Sequence, residues 1–301
     1  MVLGIDIGGT NVKFGVIDEN YNIIKTYKTP TVTDKDDKAF VYAIADKAKE
    51  IKEEYNYSSI GIGMPGTIDT QKGIVIRAAN LPCKNTPIAD MIKESVGVPV
   101  KIANDATSAV CGELFAGEGK GHKDFLMITL GTGVGGGIVI DGKPYFGSLG
   151  RAGEFGHIII QKDGLSCPCG QLGCYERYAS VRALIGQTSE MAQAHPESIL
   201  AKMCEDGVNG KTVFDAIEKG CPVAKEVLDN YTAYIATGIQ SLVRIFQPEI
   251  IIIGGAISEQ GDNLITPLKE KVTLPVEICV SQLKNDAGVI GAAAVVMEGI
   301  G

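Results

Sequence analysis

The chain has 301 residues, enough for about two domains with a substantial core. Apolar residues make up 45% and charged residues 21%, a balance that excludes a disordered chain. No apolar run approaches the ~20 residues that span a bilayer, and a net charge of -8 argues against a general nucleic-acid surface.

Residues 2–8 and 12–18 read as strands joined by a turn at Gly8-Gly9-Thr10-Asn11. Residues 23–28 are a third strand candidate. Over 37–55 the apolar residues Phe40, Ile44, Ala48, Ile51 and Tyr55 share one helical face. A short strand over 60–64 ends at Pro65-Gly66. A helix is expected over 90–95, a strand over 98–102 and a helix over 104–117. The pattern then restarts: a strand over 126–130, a turn at Gly131-Thr132-Gly133 and a strand over 137–140. Shifting 3–18 by 123 positions pairs Leu3 with Leu126, Gly8 with Gly131, Val16 with Val139, Ile17 with Ile140 and Asp18 with Asp141. That match points to an internal duplication of a strand-turn-strand unit. A Gly/Cys-rich loop covers 147–176. Helical segments follow, the last starting near Pro222 and stopping before Pro248. An apolar strand over 250–253 runs into Gly254-Gly255. Another strand is expected over 276–280, and a Gly/Ala-rich helix closes the chain over 288–297.

The strand pattern begins at once, so no export signal is expected and the location would be cytoplasmic. Eight cysteines in such a chain read as reduced thiols, not a disulfide scaffold. The 38 glycines are nearly twice ordinary usage and gather at turns, where backbone approaches a ligand or bends tightly.

Asp6-Ile7-Gly8-Gly9-Thr10 delivers a carboxylate at a strand end, then two glycines whose N–H groups can close on an anion. A plain hairpin turn is the competing reading. The second glycine turn at 131–133 favours two grips on one polyphosphate. Gly254-Gly255 after an apolar strand offers a flat surface for an adenine or ribose. In this order the three elements resemble the sugar kinase, heat-shock chaperone and actin superfamily. The resemblance implies an α/β, two-domain actin-like ATPase fold, with duplicated ribonuclease H-like domains and an interdomain cleft. The domains would be 1–117 with 288–301, and 118–287. ATP and Mg²⁺ would be held by Asp6, Gly8, Gly9, Thr10, Asn11, Gly131, Thr132, Gly133, Gly254 and Gly255. Lys13 is a further candidate, set against an ordinary surface-strand lysine.

His157, Cys167, Cys169 and Cys174 offer one imidazole and three thiolates, the ligand set of a closed structural Zn²⁺ site. Redox chemistry is the alternative. Asn104-Asp105 stands where a strand meets a helix, and both residue types are favoured caps. Glu154-Phe-Gly-His157 followed by Cys167-Pro-Cys169-Gly-Gln-Leu-Gly-Cys174-Tyr-Glu176 resembles the signature of the ROK family of bacterial sugar kinases and sugar-responsive repressors. The likeness runs from Asp6 to the C-terminal helix. It implies zinc on His157, Cys167, Cys169 and Cys174. It also implies a sugar faced by Gly66, Asn80, Asn104, Asp105, Glu154, His157 and Glu176, with Asp105 as catalytic base. The implied activity is ATP-dependent phosphorylation of the 6-hydroxyl of glucose or a related hexose, in a homodimer. N-acetylmannosamine or N-acetylglucosamine kinases carry the same motifs, and some relatives use polyphosphate as donor. A sugar-responsive repressor is disfavoured, because the pattern starts at Asp6 with no helix-turn-helix before it.

Overall fold

The computed structural model describes residues 1–33, 36–78, 80–148 and 151–300. Alternating apolar residues give β1 (Val2–Ile7), β2 (Asn11–Ile17) and β3 (Ile23–Pro30). Helix α1 (Asp37–Tyr55) starts where the Asp36 side chain accepts the Ala39 N–H, and it buries Phe40, Ile44, Ala48 and Ile51. Then come β4 (Ile60–Met64), β5 (Thr67–Asp69), β6 (Ile74–Arg77), β7 (Lys84–Thr86), α2 (Ile88–Val96), β8 (Val100–Asn104) and α3 (Asp105–Ala116). After α3 lie β9 (Phe125–Leu130), β10 (Val134–Ile140) and β11 (Lys143–Pro144). Helices α4 (Glu176–Ala179), α5 (Val181–Ala194), α6 (Ile199–Cys204), α7 (Thr212–Glu218) and α8 (Pro222–Phe246) follow. The chain ends with β12 (Ile250–Gly254), α9 (Asp262–Lys271), β13 (Glu277–Val280) and α10 (Ala287–Met297).

Two five-stranded sheets share one topology. The first is ordered β3-β2-β1-β4-β8 and the second β11-β10-β9-β12-β13. In each, the strand before a glycine turn pairs in parallel with a later apolar strand: β1 with β4, β9 with β12. The duplication expected from the 123-residue shift is therefore a duplication of sheet order. A third sheet, β5-β6-β7, is built from strands of three or four residues. Runs that short carry no period from which to read them.

Some boundaries differ from expectation. β10 begins at Val134, not at residue 137, so Gly135, Gly136 and Gly137 lie inside a strand. A Cβ on Gly136 would come within 2.1 Å of the Phe155 ring, so the absent side chain makes room for that ring. β8 runs to Asn104 because its parallel ladder with β4 continues to the Met64–Asn104 pair. α8 keeps the expected ends, with Pro222 in its first turn and Gln247 in the left-handed conformation after it.

The chain divides into two compact units. One comprises Met1–Gly121, Ile138–Ala152 and Asn285–Gly301, and the other His122–Gly137 and Gly153–Lys284. The first has its core between β1, β2, β4 and α1, where Leu3, Ile5, Phe14, Phe40, Ile60 and Ile62 are buried. On it sits a helix pair, α3 and α10, in backbone contact. A Cβ on Gly291 of α10 would lie 1.5 Å from the Ser108 carbonyl oxygen of α3. In the second unit, β12 is buried throughout, and α8 covers a core with Val227, Tyr231, Ile235 and Ile239. No helix of the described residues is long and apolar enough to cross a membrane.

Gly291→Ala should raise intrinsic helix propensity by about 1 kcal/mol yet destabilise the chain, because overpacking at this crossing costs more, about 2–3 kcal/mol. Urea unfolding of the variant is expected to show a net loss of stability.

Candidate functional site

In the first unit the groups gather at strand ends. Asp6, next to last in β1, stands opposite Lys13 of β2 and Gly63 of β4. The turn after it is closed by the Gly8 N–H donating to the Asn11 carbonyl at 2.9 Å. Thr31 braces it from β3's end, its hydroxyl donating to the Gly8 carbonyl at 2.7 Å and its N–H to the Thr10 carbonyl at 2.9 Å. Gly9 and Thr10 are left exposed at the tip. Lys13 donates to the Asp286 carboxylate and to the Asn285 carbonyl, so its ammonium is already engaged.

At the end of β8, Asn104 caps α3. Its side-chain oxygen accepts the Ala106 N–H at 2.9 Å, and its amide donates to the Gly66 carbonyl at 3.1 Å. The cap thus ties the start of α3 to the loop after β4. Gly66, at φ +125°, lies against the Arg77 carbonyl, and Asn80 is exposed a few residues beyond it. Asp105 is the first residue of α3, and its carboxylate also accepts the Ala106 N–H at 2.9 Å. Asp105 reaches water, but the protein mass around it desolvates the carboxyl and pushes its pKa up against those hydrogen bonds. Burial pushes the Asp6 carboxyl up to about 6; the Asp105 charge adds to the rise and Lys13 opposes it. A desolvated carboxyl whose ionisation a second acid hinders is of a kind that a divalent cation would stabilise.

The second unit carries the other groups. Its glycine turn is closed by the Gly131 N–H donating to the Gly133 carbonyl at 3.0 Å, and Thr132 is exposed. The Gly131 carbonyl accepts the N–H of Val181 at 2.8 Å, which anchors the turn to the start of α5. Gly255, at φ +86°, has its Cβ position 2.4 Å from the Leu130 carbonyl oxygen, so Gly254-Gly255 lies against the residue that leads into this turn. Both requirements exclude a side chain there.

Glu154 is exposed and opens the single helical turn Phe155–His157. Ligand atoms of His157, Cys167, Cys169 and Cys174 all lie within 4.8 Å of one another. Sγ of Cys169 and Cys174 are 3.5 Å apart, and Cys167 Sγ is 3.8 Å from His157 Nδ1. A tetrahedron with Zn–S bonds of ~2.3 Å has edges of about 3.8 Å, so the four groups fit such an ion. Glu176 joins three features. Its Oε1 accepts from the Cys167 thiol at 3.1 Å and lies 3.9 Å from His157 Nδ1. Its Oε2 is 2.8 Å from the Cβ position of Gly133 in the glycine turn.

A family model described as the ROK family matches residues 2–298. The chain belongs to the ROK family. The glucokinase of Streptomyces coelicolor is 38% identical over 99% of this chain and 98% of its own. That of Thermotoga maritima is 34% identical over 100% of this chain and 98% of its own. A crystal structure of a ROK family glucokinase from Streptomyces griseus, in complex with glucose and AMPPNP, matches with a TM-score of 0.85, 35% identity and 99% of each chain covered. The fold is thus the two-domain actin-like α/β fold that the sequence motifs resembled.

One wall escaped sequence reading. A cavity of about 380 Å³ in the second unit is lined by Val181, Asn209, Gly210, Lys211, Ile257 and Glu259, among others. Val181 and Ile257 face it beside Gly210, and the Lys211 ammonium stands 3.9 Å from the Glu259 carboxylate. It adjoins the glycine turn through Val181. Asn209-Gly210 carries a turn signal, but nothing in a turn signal names a ligand wall. In this ROK chain the cavity is as large as a small-molecule pocket and largely apolar in its facing side chains.

The desolvated Asp6 is a destabilising charge in the ligand-free chain. Its folded value lies above the ordinary 3.8, so the penalty is complete above about 6 and vanishes below 3.8. Asp6→Asn is expected to raise the unfolding free energy by about 2–3 kcal/mol near neutral pH. The gain should fade as the pH drops through the Asp6 value, as urea unfolding of both proteins without nucleotide would show.

Proposed function

We propose that this chain is an ATP-dependent hexose kinase that transfers the γ-phosphoryl group to the 6-hydroxyl of glucose or a close relative. Phosphoryl transfer asks a protein mainly for positioning and charge stabilisation. The placement of Asp105 carries the reading. Its carboxylate sits on the first turn of α3, fixed by the Asn104 cap, with a raised pKa beside Asp6. A carboxylate placed there, with its pKa raised by desolvation, can accept the proton of a sugar hydroxyl as that oxygen attacks phosphorus.

The other roles follow from each unit's own groups. Phosphate oxygens meet the exposed tips of the turns, Gly9-Thr10 in the first unit and Thr132 in the second, since the Gly8 and Gly131 N–H groups are spent closing the turns. Mg²⁺ beside Asp6 offsets the phosphate charge. The cavity walled by Val181, Gly210 and Ile257 takes the adenine, with Gly254 and Gly255 beneath the ribose. For sugar hydroxyls the first unit offers Asn104, Asn80 and Gly66, and the second unit offers Glu154 and Glu176. The Nδ1 of His157 faces the thiols, which leaves Nε2 for a further sugar hydroxyl. Zinc held by His157, Cys167, Cys169 and Cys174 stiffens the loop between Glu154 and Glu176. The names of the matched relatives support glucose as first acceptor and ATP as donor.

ADP release measured against a panel of hexoses, N-acetylhexosamines and a polyphosphate donor tests this reading. Glucose with ATP should give the highest kcat/KM. Preference for an N-acetylhexosamine would move the assignment within the family, and absence of any sugar-dependent ADP release would defeat it. Asp105→Asn should lower kcat by about 10²–10⁴ while the Kd for sugar moves only a few-fold. Cys174→Ser should lose bound zinc, read by metal content, and lower Tm by about 5–10 °C.

A further inference from the structure

We propose that Lys13 and Asp286 are a positioning pair that sets the first turn of α10 against Asp6, so that Lys13 serves the phosphate turn through Asp286 and not as a free phosphate ligand. The register of the β1–β2 ladder places Lys13 directly opposite Asp6, on the same face of the sheet. From there its ammonium reaches the segment ahead of α10, donating to the Asp286 carboxylate and, at 3.1 Å, to the Asn285 carbonyl. The pair is partly shielded, with the Lys13 side chain 25% exposed.

Asp286 occupies the position from which an aspartate ordinarily caps a helix. Here it does not cap. Its backbone is already helical, at φ -95° and ψ -16°, and its side chain accepts no N–H of α10. The carboxylate is turned to Lys13 instead. The start of α10 is thereby left to face another anion, and the one beside it is Asp6. The Cβ position of Gly288 is 2.7 Å from Asp6 Oδ2. The positive end of a helix favours a carboxylate there, and the nearby Lys13 charge also favours the ionised form of Asp6. One ion pair thus fixes two neighbours of Asp6: the lysine across the ladder and the helix end behind it.

The kinetic part rests on the kinase reading; the stability part does not. Lys13→Met, Asp286→Ala, the double variant and the conservative Lys13→Arg and Asp286→Asn are compared. Lys13→Met and Asp286→Ala should each lower kcat/KM for Mg·ATP about tenfold, with the KM for sugar changed less than twofold. The double variant should be no worse than the poorer single one, and the conservative variants should recover most of the loss. Binding of a fluorescent ADP should weaken in parallel, and the Tm losses of the ligand-free singles should not add in the double. Normal kinetics in Asp286→Ala with impaired Lys13→Met would overturn the proposal and make Lys13 a direct phosphate ligand. Lower Tm with unchanged kcat, KM and ADP binding per folded molecule would reduce the pair to a structural strap and overturn it too. If the unaltered chain phosphorylates no sugar, the kinase reading fails, and additive Tm losses with unchanged ADP binding would still refute the pairing.

Discussion

The backbone contact between α3 and α10 fixes where the acidic groups of the first unit stand. Gly291 against the Ser108 carbonyl, and Gly112 against that of Ala287, leave no space for side chains between the two helices. Interiors are close-packed, so such a contact has essentially one geometry. The N-terminus of α3 carries Asp105 and the N-terminus of α10 abuts Asp6. Both carboxylates are therefore placed by helix packing and strand ends, with the glycine turn and the loop at Gly66 as supports. This is how a site can be held to the fraction of an ångström that proton and phosphoryl transfer demand.

The second unit reuses the same sheet order for a different purpose. Where the first repeat has Asp6 before its glycine turn, the second has Thr129 at the equivalent position under the 123-residue shift. The duplicated scaffold keeps the turn and drops the carboxylate. In its place, charge arrives from outside the sheet: Glu176 reaches the turn from α4 while also touching Cys167 and His157. One side chain thus touches the thiol cluster and lies against the glycine turn. A structural ion there would brace more than its own loop.

Most of this was legible wherever a residue type carries its own chemistry. The cysteines and His157 announce a tetrahedral ligand set by number and kind, and Asn104 and Asp105 announce a helix start. Repeated glycines at 8–9, 131–133 and 254–255 announce turns. Other features depend on packing that no local pattern encodes. The ladder register that pairs Lys13 with Asp6, and the diversion of Asp286 from its helix, join residues 273 positions apart. Val181, Gly210 and Ile257 meet around a cavity from three separate stretches of chain. The strands β5, β6 and β7 are too short for alternation to be distinguished from chance. Gly135 and Gly136 fell outside the strand expected from residue 137, yet they belong to it, because Phe155 supplies the volume that Gly136 lacks.

The electrostatics of the first unit make sense only for a protein that is complete when loaded. Asp6 and Asp105 are desolvated and repel one another, while Lys13 is largely spent on Asp286. A fold selected for stability alone would remove one acid or free the lysine to neutralise it. Keeping both acids and engaging the lysine elsewhere leaves two neighbouring carboxylates whose charge a bound cation would balance. On the kinase reading, the nucleotide brings negative charge of its own, so a metal-bound nucleotide would meet less repulsion there than a bare one. On the kinase reading, that preference would come from the same desolvation that raises the Asp6 pKa.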